Sequence, residues 1–146
     1  MRKFELISTN IYPVCRLPER NTKYSGGYDF YNPQRVVIKP NEIKYVKTGV
    51  KAEFPENEIL VLANRSSNPK KKGLILANGI GIVDSDYYNN MDNEGEIAFA
   101  FMNITNEDVV LEEGEKLGQG IFIAYNITED DNASGNRIGG FGSTGK

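Results

Sequence analysis

The chain has 146 residues, of which 39% are hydrophobic and 25% charged, with a net charge of −3 at pH 7. That size fits one domain with a real core, and the weakly acidic balance offers no broad basic face for nucleic acid. Histidine is absent, which excludes Ser-His-Asp and Cys-His nucleophiles, HExxH metalloproteases and the histidine-containing zinc sites of nucleobase deaminases. Any general base is then a carboxylate or, less commonly, Lys or Tyr, and any metal a hard, oxygen-bound ion such as magnesium. Cys15 stands alone, so no intrachain disulfide forms and a reducing interior suits the chain. No apolar run approaches a membrane span and Met1-Arg2-Lys3 leads into no signal-peptide core, so the expected location is cytoplasmic, with no membrane partner.

In chain order, residues 4–17 show no clear period, and Pro13 and Pro18 oppose a helix. Beyond a polar linker, Tyr24-Ser25-Gly26-Gly27-Tyr28-Asp29-Phe30 sets a carboxylate among glycines and aromatics. Residues 35–39 and 43–48 read as short strands about a Pro40-Asn41 turn, and 58–63 as another that runs into Asn64-Arg65-Ser66-Ser67. Asn68-Pro69 and Lys70, Lys71 and Lys72 read as a solvated loop. Residues 74–77 and 80–83 flank Asn78-Gly79, the pattern of a tight β-hairpin, and Asp84, Ser85, Asp86, Tyr87 and Tyr88 follow at once. That hairpin would deliver two carboxylates and two aromatics to one edge of a groove. From Glu96 to Met102 the apolar residues alternate, with Ile97, Phe99 and Phe101 on one face, and strands follow at 109–111 and 120–125. Many short strands punctuated by turns, without a sustained helical period, indicate an all-β sandwich or barrel. From residue 128 the chain turns polar and glycine-rich, with Ile138 and Phe141 its main apolar residues. Such a tail cannot fold alone, but an aromatic, a cation, hydroxyls and free backbone could order around a nucleotide. Gly140 to Lys146 also fits G-x-x-x-x-G-K, yet lacks the strand, helix and following Ser or Thr of a P-loop.

Five clusters emerge: Gly27 to Phe30, Arg65 to Ser67, Asn78 to Tyr87, Gly114 to Gln119, and Arg137 to Gly145. In this order and spacing they resemble the five motifs of the trimeric dUTPase family, with GIVDSDY and RxGGFGSTG the most specific. The resemblance implies an all-β, jelly-roll-like β-clip subunit over residues 1–128, with a flexible glycine-rich arm at 129–146 closing over the active site. It implies a homotrimer that hydrolyses dUTP to dUMP and pyrophosphate with Mg2+, so lowering dUTP and supplying dUMP for thymidylate synthesis. By the same resemblance Asp84 is the general base for water attacking the α-phosphorus, which suits phosphoryl-transfer chemistry built on positioning and charge neutralisation. Asn78 and nearby backbone, including Gly81, would read uracil, and Tyr87 would pack under the deoxyribose and exclude a 2′-hydroxyl. Arg65, Ser66, Ser67 and Gln119 would hold phosphates, and Asp29 would support magnesium through its water shell. From the arm, Phe141 and Gly142 would cover uracil, while Arg137, Ser143 and Thr144 cover the terminal phosphate.

In the family resembled, the arm comes from a third subunit. Asp86 reads as a loop-stabilising carboxylate. The chain departs from the family pattern at Asn64 (usually proline), at Lys116 (commonly arginine) and in a longer Tyr88 to Asn93 loop. A nucleotide-gated binding protein on the same fold, with a regulatory protein partner, and a dCTP deaminase-type enzyme are the competing readings.

Overall fold

The computed structural model describes residues 1–9 and 11–142. It is built from twelve short strands and one helix. In chain order these are β1 (Lys3–Leu6), β2 (Glu19–Arg20), β3 (Tyr28–Tyr31), β4 (Val36–Ile38), β5 (Ile43–Lys47), β6 (Val50–Glu53), β7 (Glu58–Asn64) and the helix α1 (Asn68–Lys72). Strands β8 (Leu74–Leu76), β9 (Gly81–Asp84), β10 (Ala98–Asn103), β11 (Val109–Leu111) and β12 (Lys116–Ala124) follow, with a 3-10 turn at Ser85–Tyr87. The all-β class expected from the pattern of short runs is the class observed.

Strand β12 is the spine. It pairs antiparallel with β3 on one side and β7 on the other, inside a five-stranded sheet ordered β2-β3-β12-β7-β9. A second sheet is ordered β5-β10-β8, and β1-β6 and β11-β4 form two further two-stranded pairs. The two sheets meet over a core of Phe30, Leu60, Leu62, Phe99, Phe101, Leu74 and Leu117, all buried. The alternation read at Ile97, Phe99 and Phe101 places all three inside. Gly118 permits that packing: a Cβ there would lie 2.5 Å from Phe99 Cε1 and 2.8 Å from the Ala63 carbonyl oxygen.

Two local expectations fail for physical reasons. The stretch read as a loop at Asn68-Pro69 is the helix α1, with proline in its first turn, three lysines in its last, and Gly73 at φ 64° ending it. Proline costs nothing where the N–H has no intrahelical partner, and lysines favour the negative end of the helix dipole. Nor is the Asn78-Gly79 stretch a paired hairpin. Strand β8 bonds to β10 and β9 bonds to β7, so the two strands leave the turn into different sheets. Gly79 alone takes positive φ, 75°, and its N–H donates to the Leu76 carbonyl at 3.0 Å. The turn thus bridges the two sheets, and a cleft opens between β9 and β10.

Candidate active site

That cleft, of about 290 Å³, is lined by Asn78 from the turn, Gly81 to Asp84 from β9, Leu62 from β7 and Ala98 and Ala100 from β10. Tyr45, Tyr87, Arg137, Phe141 and Gly142 complete its wall. The volume is near the lower end for small-ligand sites, enough for a base and sugar whose phosphates extend outside. Asp84 closes β9, paired with Ile59 in register, and the chain then turns through the 3-10 segment. This directs successive side chains apart. Asp84 and Asp86 are more than half exposed, at 54% and 57%, whereas Tyr87 is buried.

Tyr87 is fixed by its hydroxyl, which donates to the Glu96 carbonyl at 2.8 Å and accepts from Asn93 Nδ2 at 2.8 Å. Burial pushes its phenol above the usual tyrosine value. Its ring face is therefore what it offers to the cleft. Tyr88, expected at the same edge, turns away and donates to Glu5 beneath the Lys51 ammonium.

The glycine-rich arm lies over the Asp84 and Tyr87 of its own chain. Arg137 Nη2 donates to Asp84 Oδ2 at 3.0 Å and Nε donates to Asp86 Oδ1 at 2.8 Å. Phe141 leans on Tyr45 and Tyr87, with ring centroids 5.5 Å and 6.1 Å away. Arg137, expected on the terminal phosphate, thus sits between two carboxylates. Ser143 and Thr144, expected beside it, lie outside the described residues.

The other predicted residues form a separate patch. Arg65, Ser66 and Ser67, in the connection from β7 to α1, meet Gln119, Asp29, Lys116 and the Gly26-Gly27 pair around a hollow of about 310 Å³. Gln119 stands opposite Asp29 on β3 and Ala63 on β7. Gly27 makes room for it, since a Cβ there would meet Gln119 Oε1 at 2.1 Å. Lys116 pairs with Asp29 at 3.1 Å. Asn64 braces the turn: its Oδ1 accepts from the Arg65 and Asn68 nitrogens, and its Nδ2 donates to the Leu74 carbonyl at 3.0 Å. Asparagine thus does by side-chain hydrogen bonding what a rigid residue does by its ring. Among the described residues, the cleft and this patch share none in their linings.

Among the described residues, no group of three or more acidic or cysteine side chains comes together to cage a metal. Asp29 beside the phosphate-binding candidates fits a magnesium that arrives on a polyphosphate and keeps most of its water. Sequence reasoning missed Tyr45, an exposed strand residue with no motif around it. It undervalued Asp86, whose partner is 51 residues away.

Comparison with known proteins places the chain among relatives of one kind. A family model described as dUTPase matches residues 15–145. The deoxyuridine 5′-triphosphate nucleotidohydrolase of Lactococcus lactis subsp. lactis (strain IL1403) is 43% identical, covering 99% of this chain and 98% of its own. The crystal structure of dUTPase from Streptococcus mutans superposes with a TM-score of 0.81 at 43% identity, covering 86% of this chain and 98% of that one. A mutant dUTPase from phage phi11 of S. aureus, described with a structural Mg(II) ion, shares the fold at 24% identity and a TM-score of 0.74, covering 92% of this chain and 97% of that one.

Proposed function

The chain belongs to the dUTPase family, and from that membership we propose how its residues carry out the hydrolysis of dUTP to dUMP and pyrophosphate. It is a dUTP diphosphatase, an all-β nucleotide hydrolase. The observation that carries the residue assignment is the meeting of Asn78, Asp84, Tyr87 and Phe141 around one small cleft.

Uracil enters between the Asn78 turn and β9, where the Asn78 amide and the backbone around Gly81 read its polar edge. A close fit of the turn and β9 around the base would leave no room for a C5 methyl. Tyr87 presents its ring to the deoxyribose, and a 2′-hydroxyl would clash with that ring, which burial holds in place. Asp84, exposed at the cleft mouth, orients a water and takes its proton as the oxygen attacks the α-phosphorus. The P–O bond to the β-phosphate breaks, and pyrophosphate leaves. A positioned carboxylate base of this kind contributes roughly 10²–10⁴-fold. Arg65, Ser66, Ser67 and Gln119 hold the phosphates, and Phe141 and Gly142 cover the base. Arg137, Ser143 and Thr144 gather at the terminal phosphate.

Magnesium bound to the triphosphate would supply charge neutralisation, with Asp29 touching its water shell. The separation of the phosphate patch from the uracil cleft within one chain supports a homotrimer, in which the patch of one subunit completes the cleft of the next. No helix among the described residues is long and apolar enough to cross a membrane, and a reduced Cys15 suits a cytoplasmic setting.

The experiment is a substrate panel with the purified chain and magnesium. Pyrophosphate is released from dUTP, and not from dTTP, dCTP or UTP at comparable rates. Comparable turnover of dTTP or UTP would overturn the assignment of Asn78 and Tyr87, and ammonia released from dCTP would point to the deaminase-type reading.

A further inference from the structure

We propose that Asn68 is a positioning residue for triphosphate binding: from behind the Arg65-Ser66-Ser67 turn, its buried amide ties that turn to the stretch of β12 that carries Gln119. This rests on the reading of the turn and Gln119 as the phosphate holders. Asn68 opens α1 and is 2% exposed, and it belongs to the lining of neither the cleft nor the patch. It acts through its neighbours. Its Nδ2 donates to Asn64 Oδ1 at 2.8 Å and to the Leu117 carbonyl at 2.9 Å. Asn64 Oδ1 accepts in turn from the Arg65 N–H at 2.9 Å, and the Asn68 N–H donates to the Arg65 carbonyl at 3.1 Å. Both polar groups of the Arg65 backbone are therefore held. Gln119 follows closely on Leu117 in β12, and its Nε2 reaches the Asn64 carbonyl at 3.4 Å. The two pieces of the phosphate patch thus share one frame.

The orientation of the Asn68 amide is forced. Asn64 gives its Nδ2 to the Leu74 carbonyl and its Oδ1 to the Arg65 N–H, so Asn68 faces two oxygens and must present its nitrogen to both. The consequence is an orphan: Asn68 Oδ1 is buried with no hydrogen-bond partner among the described residues. A buried acceptor without a donor destabilises a fold, and an apolar side chain in that place would avoid it. Core packing alone therefore gives no reason for an asparagine here, whereas its two donated bonds do.

Asn64 supplies the need for such a tie. A proline at that position would fix its own φ; asparagine leaves the backbone free to turn, and the restraint passes to side chains. Ser67 heads α1 without giving its hydroxyl to a cap, so the turn does not hold itself through that serine.

The test is calorimetric titration of the full chain, in magnesium, with dUMP, dUDP and the α,β-imido analogue of dUTP, whose bridging nitrogen resists hydrolysis. Asn68→Ala is expected to weaken the analogue roughly three- to tenfold, the scale of one hydrogen bond, with a smaller loss for dUDP and little for dUMP. Asn68→Ser, which adds no volume and is too short to span both oxygens, should show the same pattern and carries the test where the alanine variant fails to fold. In an Asn64→Ala background, Asn68→Ala should add nothing, because the tie is already cut. A uniform loss across the three nucleotides, unchanged affinity for the analogue, or an equal further loss in the Asn64→Ala background overturns the proposal. Arg65→Gln checks the underlying reading separately, and should weaken the analogue whatever Asn68 does. An Arg65→Gln protein that binds the analogue as wild type does would overturn the phosphate reading, and the positioning role with it.

Discussion

Tyr87 separates two roles that one substitution would otherwise confuse. Its ring faces the cleft, while its hydroxyl is spent on the Glu96 carbonyl and the Asn93 amide. Tyr87→Phe keeps the ring and deletes both hydrogen bonds. The Glu96 carbonyl loses a buried donor, and the Asn93 amide loses its acceptor. One unsatisfied buried acceptor plus one lost hydrogen bond costs about 1–2 kcal/mol, or roughly 2–8 °C in Tm for a domain of this size. Thermal melts at matched protein concentration read this directly, since subunit association also shifts Tm. The kcat/KM ratio for UTP against dUTP should stay near wild type in Tyr87→Phe. It should rise roughly tenfold or more in Tyr87→Val, which removes the ring and admits a 2′-hydroxyl. A Tyr87→Phe enzyme of full stability would refute the hydrogen-bond account. An unchanged ratio in Tyr87→Val would refute the steric one.

Gly118→Ala should cost about 1–3 kcal/mol in urea unfolding, because its Cβ meets a buried ring and a backbone carbonyl that cannot both yield. Gly135→Ala, with nothing within 4 Å of the new Cβ, is the control and should be near neutral. Glu94 should show in the pH dependence of stability. Hydrogen bonds from the Lys51 ammonium at 2.6 Å, and then from the Ser8 hydroxyl and amide, hold its carboxyl down at about 2 against the usual 4.5. A depressed carboxylate stabilises the fold above its unfolded value and loses that contribution as pH falls toward 2. Glu94→Gln is therefore expected to be less stable by about 1–2 kcal/mol at pH 7, with the gap closing between pH 4.5 and 2 in parallel unfolding curves. A gap that persists at pH 2 would count against the ion pair.

The sequence carried the motif residues well because their chemistry is local. Asp84 after a β run, Asn78 at a turn and Phe141 among glycines declare themselves by type and neighbours. Partnership is another matter. Strands β8 and β9 look like two arms of one hairpin, yet β10 and β7 outcompete that pairing, and the alternation in each run says only that it has an inner face. The same limit hid β1 and β6, which are short strands that pair across 50 positions of sequence, as at Lys3 with Glu53. Asp86 reads as an ordinary turn acid until Arg137 is seen against it. Tyr45 has no signal in one dimension at all. Asn64 and Lys116, conspicuous as departures from the family pattern, acquire reasons only in three dimensions, one as a brace for the Arg65 turn and the other as the partner of Asp29.

The central claim, that Asp84 takes the proton from the attacking water, is tested most directly by single-turnover hydrolysis of dUTP with Asp84→Asn beside its dissociation constant for dUTP. The amide keeps the shape of the side chain and its place at the end of β9, but it cannot accept the proton. The rate should fall roughly 10²–10⁴-fold while binding stays close to wild type. Near-normal turnover by a variant that binds dUTP normally would contradict the account.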